Sequence, residues 1–381
     1  MTVVGIIAEF NPFHNGHLYL LQQIKKKFPQ ATIVVVMSGN FLERGEPACI
    51  DKWIRTKQAM LAGVDLVVEL PVAYCIQPAD RFAWGAIKIL NELKIDYLCF
   101  GAEHAQFDFS QMAQKVAGIH GNFQKFNESY AAAYQRVVTE KVGHPVDQPN
   151  DLLGLAYAKA CQQLAAKIQL VPIQRVAAAY HDQDLNPRQK IASATAIRKA
   201  WQQADQQVSN YLPPGSWRII EEQKPLTWDD FWPWLRYRIF SSTPLQLKTV
   251  YDVAEGLEYR LQQQLLGLPM TASFDDWIKA VKTKRYTYTH LSRVAVSILL
   301  QLKQTEVERQ FKQPYLRPLG FNARGQQVLH QLKKQTTWPV IVKVGQEEVK
   351  KIIEVDYRAG KVYELASHRP QDLKRSPMII N

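Results

Sequence analysis

A chain of 381 residues that is 46% hydrophobic and 22% charged is long enough for two domains, each with its own core, and has the composition of an ordinary folded protein. No apolar run reaches the roughly 18 residues of a membrane span, and no basic segment precedes the first apolar run as in a secretory leader, so a cytoplasmic protein without a membrane partner is expected. The net charge of +12 is unevenly placed: residues 281–381 hold 19 Lys and Arg against 8 Asp and Glu, a net of +11. Cys49, Cys75, Cys99 and Cys161 are widely spaced; they make neither a zinc pattern nor a disulfide framework, which suits a reducing compartment.

In chain order, Val3–Glu9 reads as a buried strand that ends in the turn-prone Asn11-Pro12. Leu18–Lys27 has amphipathic helical spacing. Ala31–Met37 is a second strand, closing on Ser38-Gly39-Asn40. Lys52–Leu61 is a helix that Asp51 can cap. Leu66–Leu70 is a third strand, stopped by Pro71. Asp80–Leu93 is a helix, Ile95–Phe100 a strand ending at Gly101, Ala156–Ala166 a helix and Ile168–Val171 a short strand. This alternation predicts an α/β fold, a Rossmann-like parallel sheet with helices on both faces. Ligands of such sheets sit at the carboxyl ends of the strands, where strand order reverses. His14, His17, Ser38, Gly39 and Gly101 all follow strand ends and can converge there. Trp232–Leu266 and Phe274–Arg309 read as a smaller, mainly α-helical C-terminal region, with Trp228, Phe231, Trp232 and Trp234 read as packing its helices in preference to stacking on bases. Val340–Val344 and Lys361–Leu365 look strand-like. The expected division is a catalytic region at 1–205 and a basic, mainly helical region at 206–381.

The segment His14-Asn15-Gly16-His17 carries the most chemistry. Two histidines three apart stand at the start of a helix, whose N-terminus offers free N–H groups and the positive end of the helix dipole. Gly16 allows close approach to the backbone. No P-loop and no G-x-G-x-x-G is found at this turn. A bare His-x-Gly-His also occurs in polar loops, and histidine is a common metal ligand, although a His-Glu-x-x-His zinc motif is absent. The position directly behind the first strand distinguishes these readings. It is where nucleotidyltransferases of the HIGH superfamily carry their motif, and this segment resembles them.

A second constellation lies far downstream. Ser193, Thr195 and Arg198 open a predicted helix, where hydroxyls, N–H groups and a guanidinium can hold phosphates. An ordinary Ser cap with a surface Arg would look the same in isolation. The run Ile191-Ala192-Ser193-Ala194-Thr195-Ala196-Ile197-Arg198 is similar to the superfamily's Ile-Ser-Ser-Thr-x-x-Arg, with Ala192 and Ala194 as departures. His181-Asp182 could form a hydrogen-bonded pair, more readily structural than catalytic. Glu9, Asp65, Glu69 and Asp80 are not spaced for paired acid–base work, and Asp65 and Glu69 read as cap or turn contacts.

A basic C-terminal third suggests a polyanionic partner, against the plain alternative of a solvated cationic surface. Lys282, Lys284, Arg285 and Arg293 alternate with Tyr286, Tyr288 and His290, which suits phosphate contact with base stacking. Helical spacing would gather Lys282, Arg285 and Thr289 on one ridge.

The stretches Ala8–His17, Met37-Ser38-Gly39-Asn40-Phe41, Arg44-Gly45, Glu69-Leu70-Pro71, Phe100-Gly101, Ser193–Arg198 and Lys284–Thr287 together resemble the tRNA(Met) cytidine acetate ligase family over most of the chain. The resemblance implies an ATP-dependent ligase that acetylates N4 of the wobble cytidine of elongator tRNA(Met) with acetate, releasing AMP and diphosphate. It further implies nucleotide contacts at Ile7, Ala8, Glu9, Phe10, Asn11, Pro12, Phe13, His14, Asn15, Gly16, His17, Leu18, Tyr19 and Leu20, and at Gly101, Asn150 and Arg175. Catalytic roles fall to His14, His17, Ser193, Thr195 and Arg198. Mg²⁺ would ride on the phosphates, without a protein ligand set. Two rivals stay open: a nucleotidyltransferase or ligase acting on a small-molecule acceptor, which would not need the basic third, and a noncatalytic RNA-binding protein, against which the intact motif pair argues.

Overall fold

The computed structural model describes residues 1–118, 130–176, 184–186, 188–254 and 256–380. The pair His181-Asp182 lies outside them. Five aliphatic runs form parallel strands: β1 (Val3–Ala8), β2 (Thr32–Ser38), β3 (Leu66–Leu70), β4 (Tyr97–Ala102) and β5 (Gln169–Gln174). β2 and β3 are buried along their whole length, as parallel strands covered by helices on both faces must be. Two further strands, β6 (Pro318–Phe321) and β7 (Met378–Ile379), complete the order β5-β4-β1-β2-β3-β6-β7. β6 runs antiparallel to β3 and parallel to β7. The chain steps one way from β1 to β3 and then returns to the other side of β1 for β4. The switch point therefore lies between β1 and β4, and the His motif follows β1 there.

Around the sheet lie α1 (Asn15–Lys27), α2 (Lys52–Leu61), α3 (Val72–Cys75), α4 (Ala79–Glu92), α5 (Phe109–Val116), α6 (Tyr130–Val142), α7 (Pro149–Gln163) and α8 (Ala194–Gln202). Asp51 caps α2 as expected, accepting from the N–H groups of Trp53 and Ile54 at 2.9 Å. Two helices begin earlier than their apolar spacing suggests. α1 starts at Asn15 because the His14 side chain supplies its cap, and α7 starts at Pro149 with Pro in the position that needs no donor. Asn150 thus belongs to the first turn of α7.

The C-terminal region packs α10 (Trp228–Ser241) against α12 (Leu257–Leu266), α13 (Phe274–Val281) and α14 (Tyr288–Leu299), with α11 (Pro244–Lys248) against α12, whereas α9 (Pro214–Ile220) packs on α2. Trp228 stacks on Phe274 at 4.2 Å, and Trp232 lies 5.5 Å from Trp277, so these aromatics are packing residues. The continuous helical readings are broken by Thr243-Pro244, by Gly256 at φ +83° and by a turn over 282–287. Lys361–Leu365 is not a strand. It lies within the helix Glu354–Ser367, whose buried Val355, Ala359 and Tyr363 recur every four residues. Val340–Val344 contributes a single bridge, Val340 to Leu316.

The C-terminal region also reaches back into the sheet. Lys52 Nζ lies 2.6 Å from both Glu69 and Asp372, and Arg317 lies 3.0 Å from Glu69 and 2.7 Å from Asp372, all four side chains almost fully buried. Glu69 is thus one member of an ion cluster and not a turn contact. Asp65 does make strand-end contacts, accepting from Ile33 N–H at 2.7 Å and from Asn322 Nδ2 at 2.8 Å. Buried charges repay their desolvation only when every partner is present. The cluster therefore fixes β6 and the Asp372 loop against β3 in one register.

Candidate nucleotide site

The chain turns sharply after β1. Phe10 adopts φ +51° and the Asn11–Pro12 peptide is cis. A left-handed conformation at a bulky residue persists only where packing imposes it. Here the Phe10 ring is buried edge-on against Phe13 and His17, both at 4.9 Å. Next, His14 and His17 form a reciprocal cap. His14 Nδ1 accepts from Gly16 N–H at 3.0 Å, and His17 Nδ1 accepts from His14 N–H at 3.2 Å. The two rings stack at 3.8 Å. A Cβ on Gly16 would fall 2.8 Å from the His14 ring, which is why glycine stands between the histidines.

Both imidazoles are neutral. Burial, followed by the charges of Arg175 and Arg198, lowers His14 to about 3; burial, His14 and Arg175 hold His17 well below its ordinary value. Because each Nδ1 accepts, each proton sits on Nε2. The motif thus offers two neutral N–H donors beside the α1 N-terminus. One consequence is measurable. A histidine whose folded pKa is depressed supports the fold above its unfolded pKa near 6.5 and withdraws that support as pH falls toward 3. At about pH 5, His14 alone is expected to cost about 2 kcal/mol of stability relative to neutral pH. Urea midpoints at the two pH values, compared with His14→Gln, check this: the variant should show a smaller acid loss, and an equal loss would remove the assignment.

The second motif meets the first. Ser193 caps α8, its Oγ accepting from Ala196 N–H at 3.0 Å; the ordinary cap is real, and it also aims the helix. Arg198 Nη1 donates to Asn11 O at 2.9 Å, its Nη2 lies 3.5 Å from Thr195 Oγ1, and Glu46 stands 3.6 Å away. Asn15 Nδ2 donates to Lys190 O at 2.8 Å and Asn210 O at 2.9 Å, tying the start of α1 to the segments on either side of α8. Across the switch point, Gly101 lies in β4 opposite Ile173, and a Cβ there would sit 3.2 Å from Arg175 Cγ. Arg175 and Asn150 both contact Glu103, with Arg175 Nε at 3.5 Å and Asn150 Nδ2 at 2.5 Å. The charges of Arg175 and Arg198 both reach His14, and Arg175 is tied through Glu103 to Asn150 and lies against Gly101, so residues spread over most of the first 200 converge where a parallel sheet of this order places its ligand crevice.

Sequence reading missed several neighbours. Glu9 Oε1 accepts from Glu43 N–H at 2.8 Å, and burial raises both carboxyls, Glu43 to about 7 with Arg293 opposing. Glu43, Glu46, Glu103 and Asp151 become visible only once the loops after β2 and β4 close on the site. Arg55 is fully buried and gathers the carbonyls of Glu9 (2.7 Å), Ser38 (2.9 Å) and Gly39 at the ends of β1 and β2.

The basic stretch is not a helical ridge. α13 ends at Val281 and Thr287 caps α14, so Lys282, Lys284 and Arg285 stand exposed on the intervening turn. Arg293, on α14, is mostly buried and lies 3.7 Å from Glu43 of the loop after β2. Tyr288 donates to Asp275 at 3.0 Å, and His290 lies 3.2 Å from Asp252; Tyr286, Tyr288 and His290 are each partly exposed.

Fold and crevice together define a class, the α/β nucleotidyltransferases with a HIGH-type histidine motif. The family model HIGH Nucleotidyl Transferase matches residues 1–376. The tRNA(Met) cytidine acetate ligase of Ligilactobacillus salivarius is 49% identical over 100% of both chains, and that of Lactiplantibacillus plantarum is 40% identical over 99% of this chain and 98% of its own. The crystal structure of Thermotoga maritima TmcAL superposes with a TM-score of 0.89 at 27% identity over the whole of both chains, and its form bound with alpha-thio ATP with 0.86 at 26%. The chain belongs to the HIGH nucleotidyltransferases and, within them, to the tRNA(Met) cytidine acetate ligase family.

Proposed function

We propose that this protein activates acetate with ATP and transfers the acetyl group to N4 of the wobble cytidine of elongator tRNA(Met). The observation that carries the chemistry is the convergence of two neutral histidine donors, Arg198 and Arg175 at the N-terminus of α1. Acetate is anionic at neutral pH, so its attack on the α-phosphorus needs no general base. It needs alignment and relief of charge. His14 and His17 would donate from Nε2 to phosphate oxygens as charge builds, and the first N–H groups of α1 would add further donors. Thr195 and Arg198 would hold the departing diphosphate, with Ser193 fixing the helix that carries them. Gly101, Asn150 and Arg175 would seat the nucleoside, with the residues Ile7–Leu20 as the floor. The cytidine amine then attacks the acetyl carbon; the carbon–oxygen bond to AMP breaks and the amine proton is lost.

Among the described residues, no group of three or more His, Cys, Asp or Glu could hold a metal ion. Mg²⁺ accompanying ATP would be held by phosphate oxygens and water. No described helix is long and apolar enough to cross a membrane, and an enzyme acting on tRNA would work in the cytoplasm.

Incubation with ATP, labelled acetate and bulk tRNA tests the whole reading. Label in tRNA as N4-acetylcytidine is expected; label only in a small molecule, or no label, would reject it. The RNA surface is tested separately. Lys284 and Arg285 are exposed on one turn, and taking away one cation that neutralises a phosphate lowers the log–log salt slope by roughly 0.7–0.9. Replacing both with alanine should weaken tRNA binding and flatten its salt dependence while acetyl-adenylate formation without tRNA persists. Normal binding at every salt concentration would move the RNA surface to the rim of the crevice.

A further inference from the structure

Glu103 lies one residue beyond β4 and has no part in the mechanism above. Its carboxylate nevertheless organises one wall of the crevice. Oε1 accepts from Asn150 Nδ2 at 2.5 Å and stands 3.5 Å from Arg175 Nε. Oε2 accepts from the backbone N–H groups of Asn150 and Asp151, both at 3.1 Å. Asp151 answers from the first turn of α7: its Oδ1 accepts from Glu103 N–H at 3.0 Å and from His104 N–H at 3.1 Å. The loop after β4 and the helix start are thus locked by two carboxylates facing opposite ways.

This lock decides the orientation of the Asn150 amide. A side-chain amide can usually exchange its oxygen and nitrogen with little penalty. Here it cannot, because an ionised carboxylate only accepts. Asn150 must turn its NH₂ toward Glu103, and its Oδ1 is then an acceptor on the other side of the half-buried residue. Arg175 beside it is a donor only. A ligand atom meeting Asn150 Oδ1 must therefore bring a hydrogen, and one bringing a lone pair meets repulsion and an unpaired acceptor.

We infer that Glu103 is a positioning residue for nucleotide choice, holding Asn150 so that Oδ1 accepts from an N–H or O–H group of the bound nucleoside. The inference rests on Asn150 and Arg175 belonging to the nucleotide site proposed above. Two donors of ATP have this chemistry, the 6-amino group of adenine and a ribose hydroxyl.

The test is Glu103→Gln, assayed by acetate-dependent ATP–pyrophosphate exchange without tRNA. The glutamine amide can donate to Asn150 Oδ1 and so lets the asparagine turn over. The KM for ATP should rise about tenfold, the loss of one well-placed hydrogen bond, with kcat little changed. The preference for ATP over inosine triphosphate, or over 2′- or 3′-deoxy-ATP, should fall by a similar factor, and the analogue affected identifies the donor as base or ribose. A uniform rise in KM for ATP and all three analogues would make Glu103 merely structural, and unchanged selectivity would also overturn the inference. Asn150→Ala removes the acceptor itself and carries the test if Glu103→Gln does not fold. It should lose the same discrimination. If Asn150→Ala loses discrimination and Glu103→Gln does not, the role of Glu103 alone fails. If Asn150→Ala binds ATP with unchanged affinity and selectivity, the placement of Asn150 in the nucleotide site fails with it.

Discussion

His14→Ala and His17→Ala should each abolish acetyl-adenylate formation while the fold persists. The rings stack at 3.8 Å and cap one helix together, so each holds the other in place. Both are neutral, and the burial that keeps them so also removes the water that would compete for phosphate oxygens. Loss of a single preorganised donor facing developing charge slows reactions by about 10²–10³-fold. Here one truncation removes a donor and frees its neighbour, so a loss of at least about 10³-fold is expected. The structural cost is smaller: His14 is the α1 cap, and truncating a cap costs about 1 kcal/mol. Pyrophosphate exchange reports the activity, and circular dichroism with thermal melting reports the fold. Exchange at the wild-type rate in either folded variant would sink the assignment. Since neither imidazole is charged at neutral pH, exchange should also not decline as pH rises through the ordinary histidine range; a decline there would mean a protonated histidine is needed.

The parts of this site that could be read from sequence are those whose chemistry is local. An apolar run followed by Asn-Pro and His-x-Gly-His specifies strand, turn and capped helix within about 20 residues. Asp51 reads as a cap because the donors it meets are two and three residues away. The aromatic helix at 228–241 reads as core because its tryptophans recur at helical spacing. What escaped depends on contacts between distant residues. β6 pairs with β3 across some 250 positions, and a strand of four residues offers no period to detect. The ion cluster joins Lys52 to Asp372 and gives each half, taken alone, the look of a surface charge. Lys361–Leu365 holds the strand-favouring pair Val362-Tyr363 but only five residues, too short a window to reveal the four-residue repeat of its helix. The basic ridge failed for a different reason. Thr287 caps α14 through His290 N–H at 3.3 Å, and that local bond ends the helical path between Lys282 and Arg293. Glu103 escaped because a carboxylate that fixes an amide rotamer has no sequence signature.

Arg198→Ala should reduce kcat/KM for ATP by about 2–4 kcal/mol, the scale of losing one preorganised donor to a developing anion, and leave tRNA affinity unchanged. Arg198 stands where the two motifs touch. One guanidinium nitrogen donates to Asn11 O and the other lies near Thr195 and Glu46. Its removal should not undo the turn, because Asn11 Oδ1 separately accepts from Cys49 N–H at 2.7 Å in a buried bond. The effect should therefore appear in turnover and not in folding. Arg198→Lys is the sharper variant. A lysine keeps the charge but has no planar fork, so it cannot brace Asn11 O and reach a diphosphate oxygen together. If charge alone serves the leaving group, lysine restores most of the activity; if bidentate geometry serves it, lysine behaves nearly as alanine does. The position of Arg198 between a backbone carbonyl and the crevice favours the second result. A kcat/KM for ATP near the wild-type value in Arg198→Ala would make the arginine a brace for the Asn11 turn and leave the diphosphate to Thr195 and the helix α8 N-terminus.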